Sequence, residues 1–162
     1  MARSNRTVEE RLQELEDRDA IRQIVSAYSY SVDGCNAESV GSLYTEQGVY
    51  AVGDMAPFVG RAQVAAITAD QGHLDLVAGG CAHISLPPYI EIDGDLAVAT
   101  CHTMVARNGD DGFWIWRLSA SRLELVREAD GEWRIERREN WLLDGNPDAS
   151  KMLGDLRKVR RG

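Results

Sequence analysis

At 162 residues the chain is long enough for one domain with a sizeable core and too short for two ordinary domains with a linker. Its composition, 44% hydrophobic and 27% charged with only 4 prolines, fits a folded protein and argues against disorder or collagen-like repetition. Twenty-six acidic against 18 basic side chains leave a net charge of -8, the wrong sign for tracking phosphate backbones or anionic lipid, so neither nucleic acid nor a membrane surface is an expected partner.

The first residues have no apolar core of the signal-peptide kind, and no apolar stretch reaches the ~18 residues of a membrane span, so an unexported, cytoplasmic protein is expected. Thr7-Val8-Glu9-Glu10 has the form of a capping box and predicts a helix start. Val8, Leu12, Leu15, Ile21, Ile24, Val25, Tyr28 and Val32 then recur near helical period, with Glu9, Arg11, Glu14, Asp17 and Arg18 on the wet face. Gly34 ends this helix. Asn36 caps a second, short one, striped by Val40, Leu43 and Tyr44 and closed by Gly48.

Beyond it the period changes. Val49–Val52 reads as a strand and 53–60 as a loop with Phe58 as its one large apolar side chain; 61–71 reads as a modest third helix with Val64 and Ile67 inward. His73 falls in the following loop, and Gly79-Gly80 marks the change to sheet. Strands are predicted over 81–92, bent at Pro87-Pro88, then over 95–107, 113–128 and 132–142, joined by the tight-turn pairs Asp93-Gly94 and Asp130-Gly131 and by the loop 108–112. The tail, 147–162, predicts a last helical turn at Met152, Leu153 and Leu156 and a solvated basic end. Helices followed by a strand meander give an α+β order: a cone-shaped helix layer wrapped by a strongly curved, mainly antiparallel sheet that encloses a pocket.

Cys35, Cys81 and Cys101 are odd in number and widely spaced, with no C-x-x-C pair, which predicts reduced thiols. No dinucleotide or P-loop glycine motif, G-x-S-x-G or H-E-x-x-H is present. The three histidines lack ligand spacing, so no metal site is expected. The sharper candidate is a pair. Asp33 ends an apolar helix and His83 starts a strand among small residues; side by side, the carboxylate would hold the imidazole in one tautomer and leave its other nitrogen as a general base. A phenol, Tyr50 or Tyr28, could donate to a substrate carbonyl as charge develops. The plainer alternative makes Asp33 a helix-end cap and His83 a satisfied wall residue.

His102 shares a strand face with Thr100 and Met104, lining either the pocket or an outer interface. Trp114, Trp116, Trp133 and Trp141 read as core or interface anchors, and 113–116 puts bulk on both faces of its strand, one of them suited to a second subunit. In the last strand Arg134, Glu136, Arg138 and Asn140 form the solvent-exposed or polar-interface side.

The order of LEDRDAIRQIVSAYSYSVDGCNAESVGSLYTEQGVY, FVGRAQV, HISLPPYIEIDGDLAVATCH and LELVREADGEWRIERRENWLLDG resembles the SnoaL-like proteins of the nuclear transport factor 2-like superfamily over roughly residues 10 to 146. The resemblance implies one domain over 7–146, a deep pocket between helices and curved sheet, no cofactor, and a homodimer or homotrimer. Asp33 and His83 match the Asp-His pair of the family's dehydratases and dehydrochlorinase; Tyr50 and Tyr28 match strand and helix tyrosines of its dehydratases. By the same matching, Val32, Ala106 and Asn108 stand where some of those enzymes carry a further tyrosine, carboxylate or histidine. The activity implied by the resemblance is that of a dehydratase-type lyase on a small cyclic apolar carbonyl compound, with Asp33, His83 and Tyr50 catalytic and Tyr28, Phe58, His102 and Trp116 binding substrate. A polyketide cyclase or isomerase, or a non-catalytic ligand-binding domain, are the alternatives on the same fold.

Overall fold

Thr7 and Glu10 form the capping box reciprocally, each side chain accepting the other's backbone N–H. It starts α1 (Val8–Asp33) in a computed structural model that describes residues 6–156. Ile21, Val25, Tyr28 and Val32 form the buried face of α1, whereas Val8, Leu12 and Leu15 remain exposed, so the charged first half projects from the body.

Asp17, placed by periodicity on the wet face, is instead only 6% exposed. Its Oδ2 accepts from Arg127 Nη2 at 2.7 Å, and its Oδ1 from Trp133 Nε1 at 3.1 Å and Gln13 Nε2 at 3.0 Å. Burial pushes this carboxyl upward, but the three donors outweigh it and hold the pKa below the usual aspartate value. Since the folded pKa is the depressed one, the stabilisation is complete above the unfolded value of about 3.9 and is lost as pH falls through the folded pKa. Asp17→Ala should cost about 1–3 kcal/mol at neutral pH by leaving the buried Trp133 Nε1–H without its acceptor, while Arg127 keeps its pair with Asp95. Scanning calorimetry should show the gap from wild type closing as the pH is lowered past 4; a gap independent of pH would refute the assignment.

α2 (Ala37–Ser42) is capped by Asn36, whose Oδ1 accepts the Ser39 N–H. The predicted helix to Gly48 stops here. Tyr44 instead opens β1 (Tyr44–Val52), fully buried opposite Ile135, and Gly48 lies within that strand. Pairing with a strand ninety residues away overrides the local helical stripe. The loop after β1 holds a two-residue strand, β2 (Phe58–Val59), antiparallel to it. The single helix expected over 61–71 is two: α3 (Arg61–Ala66) with a 3₁₀ turn at Ile67–Ala69, then α4 (Gln71–Ala78), capped by Asp70. His73 is therefore in a helix, not a loop.

Gly80, with φ of 86°, leads into β3 (Cys81–Ser85), and a Cβ there would meet that of Asn108 at 3.0 Å, so only glycine suits this close approach. Pro87-Pro88 separates rather than bends the expected 81–92 strand: β3 and β4 (Tyr89–Asp93) both lie antiparallel to β5 (Leu96–Gly109). β6 (Gly112–Arg127) and β7 (Trp133–Leu142) complete the meander. The seven-stranded sheet runs β2-β1-β7-β6-β5-β3, with β4 also on β5. Among the described strands only the β1–β7 pair is parallel. It is an α+β fold in which a curled, unclosed sheet wraps α1, the core joining that helix to Ala99, Leu123, Leu125, Trp133 and Ile135.

Two bulges position the site. Val105 pairs with Arg117 but Ala106 with Ile115, leaving Trp116 as an extra residue in β6; Glu124 pairs with Arg137 but Leu125 with Ile135, leaving Glu136 extra in β7. Each reverses the side-chain alternation beyond it. The tail helix, α5 (Pro147–Gly154), is longer than one turn and buries Ala149 and Met152 against Ala120 on the outside of the sheet; the basic end of the tail lies outside the described residues. Phe113, Trp114 and Ile115 are 79%, 50% and 56% exposed. No helix of the described residues is long and apolar enough to cross a membrane.

Candidate active site

α1 ends at Asp33 because Gly34 caps it and Cys35 turns the chain away with φ of 49°. β3 begins beside this end, and Ser29 and Ser85 share a 3.0 Å hydroxyl contact that ties the two elements. Asp33 thus meets His83 twice. Its Oδ2 accepts the His83 backbone N–H at 2.9 Å, and its Oδ1 lies 2.6 Å from His83 Nδ1. An ionised carboxylate only accepts, so Nδ1 carries the proton and Nε2 keeps its lone pair. Burial lowers the His83 pKa; Asp33 raises it, His73 and Arg138 lower it further, and the result lies below the ordinary histidine value. The shift favours the neutral imidazole, with the lone pair on Nε2. The negative end of the α1 dipole favours the imidazolium once formed.

His83 lines a cavity of about 570 Å³, room for a small ring system. Tyr28, Tyr50, Phe58 and Trp116 line it as well. Tyr50 stacks on Phe58 at 6.3 Å between centroids and meets Tyr28 edge-on at 6.1 Å. Burial, then the neighbouring Tyr50, pushes the Tyr28 phenol far above its usual pKa, so it stays a donor. Tyr50 Oη accepts from Asn140 Nδ2 at 3.1 Å, which leaves its own proton to donate.

His102 does not belong to the site. Its neighbour Cys101 faces the core, and His102 itself pairs with Ala120, which packs against α5 on the outside of the sheet, so His102 is turned to that outer side, where it is exposed. Conversely, Arg138 and Asn140 leave the solvent side assigned to them, because the Glu136 bulge turns them inward. Arg138 is only 5% exposed, its Cζ stands 3.8 Å over the Tyr28 ring, and its Nη1 has no partner among the described residues. A buried guanidinium without a carboxylate is costly, and here it faces a cavity. Nothing on the single strand betrayed it, since the bulge exists only against β6.

His73 is the other unforeseen lining residue: its Nε2 donates to the α1 end carbonyl of Val32 at 2.9 Å, and its ring lies 5.9 Å from that of His83. Asp33, Cys81 and His83 place ligand-type atoms within 4.8 Å of one another. The 2.6 Å Asp33–His83 contact is tighter than the about 3.3 Å spacing of ligands around tetrahedral zinc, and burial followed by Asp33 pushes the Cys81 thiol up, so the trio is a hydrogen-bonded cluster that does not fit a metal as it stands.

Fold and site together define an α+β domain whose curled sheet and helices enclose a pocket. The SnoaL-like domain family matches residues 13–139, and the chain belongs to that family, within the nuclear transport factor 2-like superfamily. An NTF2-like protein with a cystatin-like fold from Novosphingobium aromaticivorans is 39% identical, with a TM-score of 0.88 over 94% of this chain and 99% of that one. A protein of unknown function from Mycobacterium tuberculosis is 20% identical, with a TM-score of 0.72 over 94% and 92%. A ketosteroid isomerase-like protein from Erwinia carotovora atroseptica is 16% identical, with a TM-score of 0.58 over 80% and 98%. No curated protein matches the chain.

Proposed function

We propose that the protein is a cofactor-independent lyase that eliminates water from a small cyclic, largely apolar carbonyl compound. The observation that carries this reading is the 2.6 Å Asp33–His83 contact at the wall of an aromatic cavity, which leaves Nε2 as the free base. His83 Nε2 removes the proton next to the carbonyl, and the C–H electron pair passes into the enolate. Tyr50, with Tyr28, donates to the enolate oxygen, and Arg138 balances its charge. As the enolate collapses, the C=C bond forms and the bond to the β-hydroxyl breaks; His83 returns its proton to that oxygen, which leaves as water. Asp33 holds the tautomer and balances the transient imidazolium.

An isomerase or cyclase would use the same first step and differ only in the fate of the enolate. The base is tested by NMR in D₂O with a panel of cyclic β-hydroxy ketones: wild type should exchange the hydrogen next to the carbonyl and release product lighter by one water, and His83→Ala should do neither above background. Exchange by His83→Ala at the wild-type rate would refute the base; exchange without loss of water would favour the isomerase.

A further inference from the structure

The mouth of the cavity carries a constellation that the elimination does not use. The bulge leaves Trp116 unpaired beside Arg117, and both line the cavity. The register places more on that side: His83 pairs with Val105 and Val105 with Arg117, while Cys81 pairs with Arg107. Arg107 and Arg117 therefore stand on the concave face that carries His83. Both guanidiniums approach the Trp116 indole, Arg117 Cζ at 4.1 Å and Arg107 Cζ at 5.0 Å from its centre.

Among the described residues seven other arginines are paired with carboxylates, and Arg11, Arg22 and Arg138 are not. Among the described residues neither Arg107 nor Arg117 forms an ion pair, although Asp110 and Asp111 occupy the adjacent turn and Asp54 and Asp144 line the cavity from the loops after β1 and β7. Two like charges drawn to one ring repel each other, and the indole offsets only about 1 kcal/mol for each. An anion held by both forks would remove that repulsion and gain charge-assisted hydrogen bonds.

We infer that Arg107, Trp116 and Arg117 form a subsite for a second, permanently anionic group of the substrate, a carboxylate or a phosphate ester. The inference rests on reading the cavity as a substrate site and narrows the substrate class. The compound is a ring system with its reacting carbonyl near His83 and Arg138 and its anion two strand spacings away along the sheet, about 10 Å.

The test is calorimetric binding of 2-naphthoate, 2-naphthyl phosphate and the neutral 2-naphthamide. Wild type should bind at least one of the anions about ten-fold more tightly than the amide, with the preference shrinking at high salt; the tighter of the two identifies the anion type. The double variant Arg107→Gln/Arg117→Gln should bring all three ligands within about two-fold of one another while leaving the amide's affinity as it was. Arg117 is exposed, so Arg117→Gln alone should retain the fold and lose part of the preference. No preference in wild type, or a preference that survives the double variant, overturns the proposal, the latter by placing the anion at Arg138. His83→Ala should keep the preference, so failure of the base and failure of this subsite read out separately.

Discussion

Asp33→Asn should lower kcat/KM by roughly 10³–10⁴-fold with the fold intact, by analogy with the loss when a histidine-orienting aspartate becomes asparagine. The geometry accounts for the size of the effect. One carboxylate oxygen is needed to accept the His83 backbone N–H at 2.9 Å, and the other accepts Nδ1–H at 2.6 Å. Asparagine has a single acceptor oxygen. If the oxygen stays with the backbone N–H, the amide NH₂ faces Nδ1 and forces the ring proton to Nε2, the nitrogen that must take the substrate proton. The negative charge that supports the imidazolium is lost as well. Asp33 raises the His83 pKa against the lowering effect of burial, so its removal should also move the acid limb of the pH–rate profile downward while the plateau collapses. Rates near wild type with an unmoved acid limb would sink the dyad.

Arg138→Met should make the protein more stable and nearly inactive. The guanidinium is buried over Tyr28, is held by a 3.4 Å contact from Nε to Ser121 Oγ, and leaves Nη1 unpartnered. Methionine is of similar reach and needs no partner. Replacing a poorly satisfied buried charge by an apolar side chain is expected to gain about 1–3 kcal/mol even after the cation–π contact is lost, or a Tm higher by roughly 2–10 °C. Loss of the charge that meets the enolate should reduce kcat by about 10²–10³-fold. A lower Tm with retained turnover would mean that Arg138 is a structural residue and would remove it from the mechanism. Stability yielding to function is the expected signature of a strained active-site charge.

The two readings of Asp33 and His83 that residue types allowed, cap plus wall residue or catalytic pair, differ by a distance that no spacing in the chain encodes. The contact depends on the α1 end meeting the first residues of β3, and that is set by the packing of Tyr28 and Val32 against the sheet. His102 and Arg138 show the same limit in opposite directions. His102 follows simple alternation and points out of the site, whereas Arg138 breaks it and points in. A bulge is a count of residues on one strand against another, so it cannot be read from either strand alone.

Features governed by short-range chemistry were legible along the chain: the Thr7 capping box, the end of α1 at Gly34, the turns at Asp93-Gly94 and Asp130-Gly131, and the α+β order. The carboxylate of Asp33, the imidazole of His83 and the phenols of Tyr28 and Tyr50 could be named as candidates from residue type alone. How these groups combine was settled by the assembled fold. It drew Tyr44 into a parallel pair with β7, buried Asp17 against Arg127, and made His73 part of a helix at the cavity wall. It also turned Arg138, Trp116 and Arg117 toward one cavity. One cause is common to all of these: each depends on a partner distant in the chain, and burial or register against that partner outweighs the local preference that a reading along the chain can follow.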